Sequence, residues 1–258
     1  MAALLLPACD SGGDTAVSVE VEKVAPVQEL EIVAALPHDP AAFSQGLIVH
    51  DGFMYESTGQ RGRSSVRKME IGSATPLEQV NLPAPFFGEG LTALGDSLFQ
   101  ITWQEHTGFV YDADTLSQVG TFTYSGEGWG LTTDGSSLIM SDGSSTLRYF
   151  DPKTFEVTRE LEVFDGEHRV NSLNELEWVN GQIWANIWPE DDIARVDPAT
   201  GRVVGGVDVS ELAPNVRFTN SDAVPNGVAY DPATGRLFIT GKLWPVLYEV
   251  RCPDCDMR

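Results

Sequence analysis

Positive charge is scarce in this sequence. It contains 16 Lys and Arg residues against 38 Asp and Glu residues, which gives a formal net charge of −22. Such a charge repels the phosphates of nucleic acids and the headgroups of anionic lipids, so we expect no nucleic-acid partner and no electrostatic docking on a membrane. No apolar run approaches the roughly 18 residues that a membrane-spanning helix needs.

The residues and motifs of common metal and hydrolase sites are also missing. With 3 cysteines the chain is not a disulfide scaffold, and its 4 histidines do not have the spacing of zinc ligands. There is no G-x-S-x-G nucleophile elbow and no D-x-D-x-D-G calcium loop. The acidic run at residues 190–192 is typical of a solvated turn. We therefore expect no required cofactor, and no motif supports a structural calcium ion.

The cysteines lie near the two ends of the chain. Cys9 follows the short apolar stretch of residues 1–8, as in a bacterial lipoprotein signal, but no Lys or Arg precedes that stretch. A start codon placed too far downstream would explain both the short stretch and the missing charge. We interpret residues 1–26 as a signal remnant and linker. The expected product is exported, either periplasmic or anchored to the membrane through a lipid on Cys9.

Two other interpretations of the N-terminus stay open, namely a secreted product without lipid and an ordinary cytosolic N-terminus. At the other end, Cys252 and Cys255 form a C-x-x-C pair in a tail. Thioredoxin-like motifs open a helix after a strand, so a small disulfide or two free thiols fits this pair better than redox catalysis.

Aromatic residues are plentiful, with 6 Trp, 12 Phe and 6 Tyr, which argues against disorder. The chain also repeats itself. One polar or aromatic residue, then Gly or Glu, then Leu or Val recurs every 40 to 52 residues. The five segments are Gln45-Gly46-Leu47, Glu89-Gly90-Leu91, Trp129-Gly130-Leu131, Asn174-Glu175-Leu176 and Asn226-Gly227-Val228.

Each repeat predicts a group of short antiparallel strands. A hairpin-turn signal such as Asp51-Gly52 or Asn180-Gly181 follows the opening residue, and further strands come after it. Four strands per unit is typical of a β-propeller blade, so we predict an all-β, five-bladed propeller over residues 27–258. The fifth unit lacks its fourth strand, which residues 29–34 supply, closing the ring. We expect fourth strands at residues 77–82, 118–124, 157–163 and 203–209, and irregular rim loops at residues 61–65, 164–173 and 210–225.

The repeat also predicts a pocket at one mouth of the central channel. The first residues of the innermost strands surround that mouth, and the second strands return to it. Residues at equivalent positions differ in chemistry, unlike those of a purely structural repeat. One ring is Gln45, Glu89, Trp129, Asn174 and Asn226, and the partner ring is Gly59, Trp103, Gly143, Trp188 and Lys242.

A carboxylate and an amine among tryptophans suit a small ligand. Simpler interpretations stay open at this point. Glu89 could be a solvated rim residue, Trp103 and Trp188 could pack inside blades, and Lys242 could be surface charge.

Eight short motifs follow the repeat in order: F-S-Q-G-L from Phe43, Y-E-S-T-G from Tyr55, G-E-G-L-T from Gly88, I-T-W-Q-E from Ile101, G-W-G-L-T from Gly128, N-E-L-E from Asn174, W-A-N-I-W from Trp184 and T-G-K-L-W-P from Thr240. Together they resemble the plant and bacterial type of glutaminyl cyclase, or glutaminyl-peptide cyclotransferase. The resemblance spans residues 31–250. It implies a five-bladed propeller, unrelated to the zinc-dependent animal-type enzyme.

The resemblance also implies a reaction and a set of site residues. The α-amine of an N-terminal glutamine attacks its own side-chain amide, which gives pyroglutamate and ammonia. The family's catalytic glutamate falls on Glu89, its lysine on Lys242, its glutamine on Gln45 and its asparagine on Asn174. Its aromatic walls fall on Phe43, Phe87, Trp103, Trp129 and Trp188.

From the chemistry we expect Glu89 to move the proton and Lys242 and Gln45 to hydrogen-bond the amide oxygen. Asn174 would orient the substrate, and the aromatic walls would exclude water. The expected partners are peptides and proteins that begin with glutamine, and we expect a monomer. The alternatives are a non-catalytic propeller that binds proteins and a calcium lactonase, although one glutamate in the inferred rings argues against the latter.

Overall fold

The structure is a computed structural model and describes residues 24–255, so the Cys9 segment lies outside it. Strands are numbered in chain order, and the first two are β1 (Val27–Gln28) and β2 (Glu31–Pro37). Two 3-10 helices cover Ser210–Leu212 and Asn215–Phe218. No helix within residues 24–255 has the length and apolar character needed to cross a bilayer.

The remaining strands form five sheets and one small hairpin. Blade 1 contains β3 (Ser44–His50), β4 (Phe53–Thr58), β5 (Ser65–Glu70) and β6 (Glu78–Asn81). Blade 2 contains β7 (Gly88–Leu94), β8 (Ser97–Thr102), β9 (Thr107–Asp112) and β10 (Gln118–Thr123). Blade 3 contains β11 (Leu131–Thr133), β12 (Leu138–Met140), β13 (Thr146–Phe150) and β14 (Val157–Glu162), and the hairpin β15 (Phe164–Asp165) and β16 (His168–Arg169) follows it.

Blade 4 contains β17 (Leu173–Val179), β18 (Gln182–Ile187), β19 (Asp192–Val196) and β20 (Val203–Asp208). Blade 5 contains β21 (Pro225–Asp231), β22 (Arg236–Gly241) and β23 (Val246–Arg251). The all-β, five-bladed propeller is therefore confirmed, and the fourth strands predicted for blades 1 to 4 are present within one residue of their expected bounds.

The N-terminal strand closes the ring as predicted. Strand β2 pairs antiparallel with β23, with Ile32 opposite Val250 and Leu36 opposite Leu247. The last blade thus takes its outer strand from the start of the chain, which covers an edge that would otherwise be open. Strand β1, not predicted from the sequence, adds to blade 4 in parallel with β20.

Two of the predicted rim loops have regular structure, which corrects the sequence-based prediction. Residues 164–173 contain the hairpin β15–β16, and its Asp165 carboxylate accepts the backbone N–H groups of Val24 and Ala25 at 2.9 and 2.8 Å. Residues 210–225 contain both 3-10 helices. Elements this short carry too little hydrophobic periodicity to be recognised in a sequence.

The glycine of the repeat is a steric requirement. A Cβ on Gly130 would lie 1.9 Å from the carbonyl oxygen of Asn174, and one on Gly90 would lie 2.3 Å from the backbone nitrogen of Leu131. The innermost strands of neighbouring blades therefore pack backbone against backbone. Blade 4 has Glu175 at this position, and its carboxylate accepts the N–H groups of Leu47 and Val228 in blades 1 and 5.

The apolar core lies between the blades. Tyr55 and Val66 of blade 1, for example, share one buried cluster with Leu91 and Leu98 of blade 2. Cys252 and Cys255 form a disulfide and belong to the cluster that also contains Trp244. The choice that the sequence left open for these cysteines is thus resolved in favour of a small disulfide.

Candidate active site

One cavity of about 300 Å³ opens at a mouth of the propeller. Its lining contains all nine residues singled out in the sequence, together with one that was not, Asp222. The lining residues are Phe43, Gln45, Phe87, Glu89, Trp103, Trp129, Asn174, Trp188, Asp222 and Lys242. The structure places these residues together, whereas their individual roles stay predictions.

The repeat explains how these side chains meet. Gln45, Glu89 and Asn174 lie at the starts of innermost strands, while Trp103 and Lys242 come directly after second strands. The two glycines of the partner ring make room for aromatic rings. A Cβ on Gly59 would lie 2.4 Å from the Phe87 ring, and one on Gly143 would lie 2.7 Å from the Trp129 ring.

Glu89 is buried at the base of a hydrogen-bonded chain. The side-chain nitrogen of Gln45 donates to Glu89 Oε1 at 2.8 Å, and Asn226 donates to Gln45 Oε1 at 2.8 Å. Asn226, which the repeat placed in the inner ring, is fully buried behind Gln45. One N–H of Gln45 is thus used to hold Glu89, and only the other is left for a substrate.

Electrostatics hold the pKa of Glu89 well above its usual value. Burial is the largest cause, and the carboxylates of Glu105 and Glu127 add to it. The positive charge of Lys242 and the hydrogen bond from Gln45 act in the opposite direction. Glu89 therefore binds its proton more tightly than an exposed glutamate does.

Lys242 is buried on the blade 5 side of the cavity. Its Nζ lies 5.0 Å from the centroid of the Phe43 ring, and its backbone N–H donates to the Val224 carbonyl at 3.0 Å. Burial lowers its pKa, although the charges of Glu89 and Asp222 oppose this. Within residues 24–255, no carboxylate lies at ion-pair distance from this ammonium group, so its N–H donors are available to a ligand.

The aromatic walls are fixed by Glu127, which the sequence analysis missed. The indole nitrogens of Trp103 and Trp129 donate to its Oε2 at 2.7 and 2.9 Å, and Gln104 donates to its Oε1 at 2.9 Å. Burial alone would raise the pKa of Glu127, but these hydrogen bonds hold it below its usual value. The only signal in the sequence is a glutamate two residues before Trp129.

An ion pair at the rim also supports the aromatic walls. Arg61 pairs with Glu105, with Nη2 and Oε1 2.6 Å apart, and the other oxygen of Glu105 accepts the Phe87 N–H at 3.3 Å. The guanidinium lies 5.5 Å from the centroid of the Trp103 ring. This pair therefore supports the two aromatic residues next to Glu89.

Asn174 offers an unused acceptor. Its side-chain oxygen is buried and has no protein hydrogen-bond partner among the described residues. A buried acceptor without a partner is costly, so this oxygen is suited to receive an N–H from a bound molecule.

The described part of the chain contains no group of three or more His, Cys, Asp or Glu side chains that could hold a metal ion. The chemistry available in the cavity is thus one carboxyl group of raised pKa, one amine of lowered pKa and amide groups inside aromatic walls. The expectation that no metal is required stays a prediction.

Comparisons with known proteins agree with this site. Residues 3–252 match the Glutamine cyclotransferase family. The chain belongs to this family. Family membership confirms the resemblance seen in the motifs and makes the chain an enzyme, not a non-catalytic propeller.

Individual members of the family are similar over almost the whole propeller. The glutaminyl-peptide cyclotransferase of Arabidopsis thaliana is 44% identical over 238 residues, which is 90% of this chain and 74% of the plant protein. The crystal structure of Myxococcus xanthus glutaminyl cyclase superposes with a TM-score of 0.83 at 41% identity, covering 88% of this chain and 97% of that one.

Proposed function

We propose that this family member converts the N-terminal glutamine of peptides and proteins to pyroglutamate and releases ammonia. The observation that carries the proposal is that Glu89, Lys242 and Asn174 line one cavity together with aromatic side chains. The names of the plant and Myxococcus relatives support the same reaction.

Glu89 is proposed as the proton shuttle. The α-amine of the substrate must be neutral to attack, and its unperturbed pKa is about 7.7 to 8.0. The raised pKa of Glu89 moves toward that of the amine, which brings proton transfer between them closer to energetic balance. Glu89 takes the amine proton as the new C–N bond forms, and it returns a proton to the departing ammonia.

Lys242 is proposed to stabilise the charge on the amide oxygen. As the α-nitrogen attacks the side-chain carbonyl carbon, negative charge develops on that oxygen, and a donor in a dry cavity contributes about 10²- to 10³-fold in rate. The free N–H groups of Lys242 and the second N–H of Gln45 are the proposed donors. The bond from Gln45 to Glu89 gives Gln45 an additional positioning role.

The walls and Asn174 are proposed to fold the substrate onto itself. A cavity of about 300 Å³ suits one side chain with its amine and first peptide bond. The buried oxygen of Asn174 would accept an N–H from the α-amine, and the rings of Trp103 and Trp129 would exclude water. Orientation of this kind supplies a large part of the rate acceleration in intramolecular reactions.

The test compares Glu89→Gln with the wild-type enzyme and with Glu160→Gln, which removes an exposed carboxylate from β14. Ammonia release from a peptide that begins with glutamine should fall by about 10²- to 10⁴-fold in Glu89→Gln alone, since a general acid–base group is lost. Thermal melting shows whether the variant is folded. A folded Glu89→Gln enzyme with near wild-type turnover would contradict the assignment, and a chelator should leave wild-type turnover unchanged.

A further inference from the structure

Asp222 is the one cavity-lining residue that the proposed reaction does not use. It lies in the rim segment between blades 4 and 5 and is exposed, unlike the buried Glu89 and Lys242. Within residues 24–255 its carboxylate makes no hydrogen bond or ion pair. Its charge nevertheless acts on the pKa of Lys242, so it lies close enough to influence charged groups at the mouth.

The backbone around Asp222 is firmly held. The carbonyl of Ala223 accepts the indole N–H of Trp244 at 3.0 Å, and the carbonyl of Val224 accepts the backbone N–H of Lys242 at 3.0 Å. Ala223 and Val224 are both buried. The backbone N–H of Asp222 itself donates to the side chain of Asn220 at 3.0 Å. The carboxylate is therefore presented from a fixed backbone position.

The other carboxylates near the cavity already have partners. Glu89 accepts from Gln45, and Glu105 pairs with Arg61. Glu127 accepts from the two indoles and Gln104. Of these four carboxylates near the cavity, only that of Asp222 has no hydrogen-bond or ion-pair partner within residues 24–255, so it is left to interact with a bound peptide.

The path of a substrate follows from burial. The N-terminal glutamine must reach the buried Glu89 and Lys242, so the next residue of the peptide lies nearer the open side of the cavity. The exposed members of the lining are Asp222 and Trp188, whose exposed fraction is 44%. An acidic side chain in that position would meet an uncompensated like charge, and a basic one would meet an opposite charge.

Resting on the proposed function, we propose that Asp222 selects the residue that follows the N-terminal glutamine. Its carboxylate favours substrates with Lys or Arg in that position and disfavours those with Asp or Glu. Attraction of a basic side chain and repulsion of an acidic one both contribute, because specificity is the difference between the affinities for the two substrates.

The test measures kcat/KM for three peptides that differ only in the second residue, namely Gln-Ala, Gln-Lys and Gln-Glu peptides, with wild type, Asp222→Asn and Glu211→Gln. Glu211→Gln removes the same charge from the same rim segment but not from the cavity lining. At low ionic strength the Lys-to-Glu ratio should fall about threefold to tenfold in Asp222→Asn, which is the size expected for exposed charge pairs. Glu211→Gln should keep the wild-type ratio, and roughly 1 M salt should lower that ratio toward the Asp222→Asn value.

An unchanged ratio in Asp222→Asn would overturn the inference. So would an equal change for all three peptides, which would mean that Asp222 acts on Lys242 and not on the second residue. In either case, cyclisation of the Gln-Ala peptide by the wild-type enzyme would leave the proposed function intact. If wild type released no ammonia from any of the three peptides, the proposed function itself would fail.

Discussion

At the scale of single residues, neighbouring groups shift the pKa of Glu89 in opposite directions. Burial and two neighbouring carboxylates raise its pKa, whereas Lys242 and Gln45 lower it. Burial lowers the pKa of Lys242, against the opposing charges of Glu89 and Asp222. The two groups therefore have pKa values closer together than those of exposed glutamate and lysine, and the raised pKa of Glu89 agrees with its proposed role as proton shuttle for the substrate amine.

This balance predicts opposite pH shifts for two substitutions. In Lys242→Met the loss of a nearby cation should raise the pKa of Glu89 and move the acid limb of the kcat/KM profile to higher pH. In Glu127→Gln the loss of a nearby anion should move it to lower pH. Each shift should be roughly half a pH unit or more. A shift of half a unit corresponds to about 0.7 kcal/mol of interaction between Glu89 and the charge that is removed.

The measurement is the full pH profile with one peptide substrate, whose amine titrates identically throughout, so that differences report the enzyme. Glu160→Gln serves as the control and should keep the wild-type profile. Shifts of Lys242→Met and Glu127→Gln in the same direction would show that Glu89 does not set the acid limb.

Sequence reasoning found the nine residues that line the cavity in two ways: the repeat assigned seven of them to one mouth, and the family resemblance added Phe43 and Phe87. It could not find Asp222 or Glu127, since both lie in loops whose geometry the repeat does not determine. The bond between Gln45 and Glu89 was also out of reach, because a residue pattern does not reveal which side chains are already partnered.

At the scale of the element, the innermost strands depend on the absence of a side chain. The Cβ positions at Gly90 and Gly130 overlap backbone atoms of the next blade, and backbone cannot move aside as a flexible side chain can. Strand existence was predictable from turn signals such as Asp51-Gly52, where both residues have positive φ. Strand β1 was not predictable, because two residues are too few to show a hydrophobic pattern.

This packing predicts a clear contrast between two glycines. Gly130→Ala should lower the free energy of unfolding by about 3 kcal/mol or more, because overpacking against a rigid backbone cannot relax. The melting temperature should fall by roughly 6 °C or more, at about 2 to 4 °C per kcal/mol for a chain of this size. Gly120→Ala is the matched control, since a Cβ there would lie an ordinary 3.7 Å from Val110.

Both variants are compared by thermal melting with circular dichroism under identical conditions. Equal melting temperatures for Gly130→Ala and Gly120→Ala would contradict the backbone-on-backbone account of the ring.

At the scale of the whole molecule, two buried glutamates tie the blades together. Glu175 accepts N–H groups from blades 1 and 5, and Glu177 accepts the Tyr230 N–H of blade 5 at 2.8 Å. Burial raises the pKa of Glu177 to about 8 and holds that of Glu175 well above its usual value. The repeat shows Glu175 at a position where the other blades have glycine. It does not reveal that this side chain of blade 4 accepts hydrogen bonds from the backbone of blades 1 and 5.

These shifts make stability depend on pH with a definite sign. The folded state binds the proton of Glu177 more tightly than the unfolded state, whose pKa is about 4.3. The stabilisation is complete below that value and is lost as pH rises toward about 8. Glu177→Gln keeps an acceptor for Tyr230 but cannot ionise, so its melting temperature should fall less than that of wild type between about pH 5 and pH 8.

Between about pH 5 and pH 8, the fall in melting temperature should be several degrees smaller for Glu177→Gln than for wild type. Thermal melting at a series of pH values measures this difference. Glu160→Gln again controls for the loss of one unit from the net charge of −22. Parallel curves for Glu177→Gln and wild type would show that Glu177 does not titrate between these pH values in the folded protein.

The reaction proposed for this propeller is the cyclisation of N-terminal glutamine with Glu89 as the proton shuttle. The most direct measurement uses a peptide whose first glutamine carries heavy nitrogen in its side-chain amide, followed by mass spectrometry of the peptide and the released ammonia. We expect a peptide lighter by one ammonia and heavy nitrogen in the released ammonia, with both products formed about 10²- to 10⁴-fold more slowly by Glu89→Gln. A product that begins with glutamate, which forms when the amide is hydrolysed, would contradict the proposed cyclisation. Undiminished cyclisation by Glu89→Gln would contradict the role proposed for Glu89.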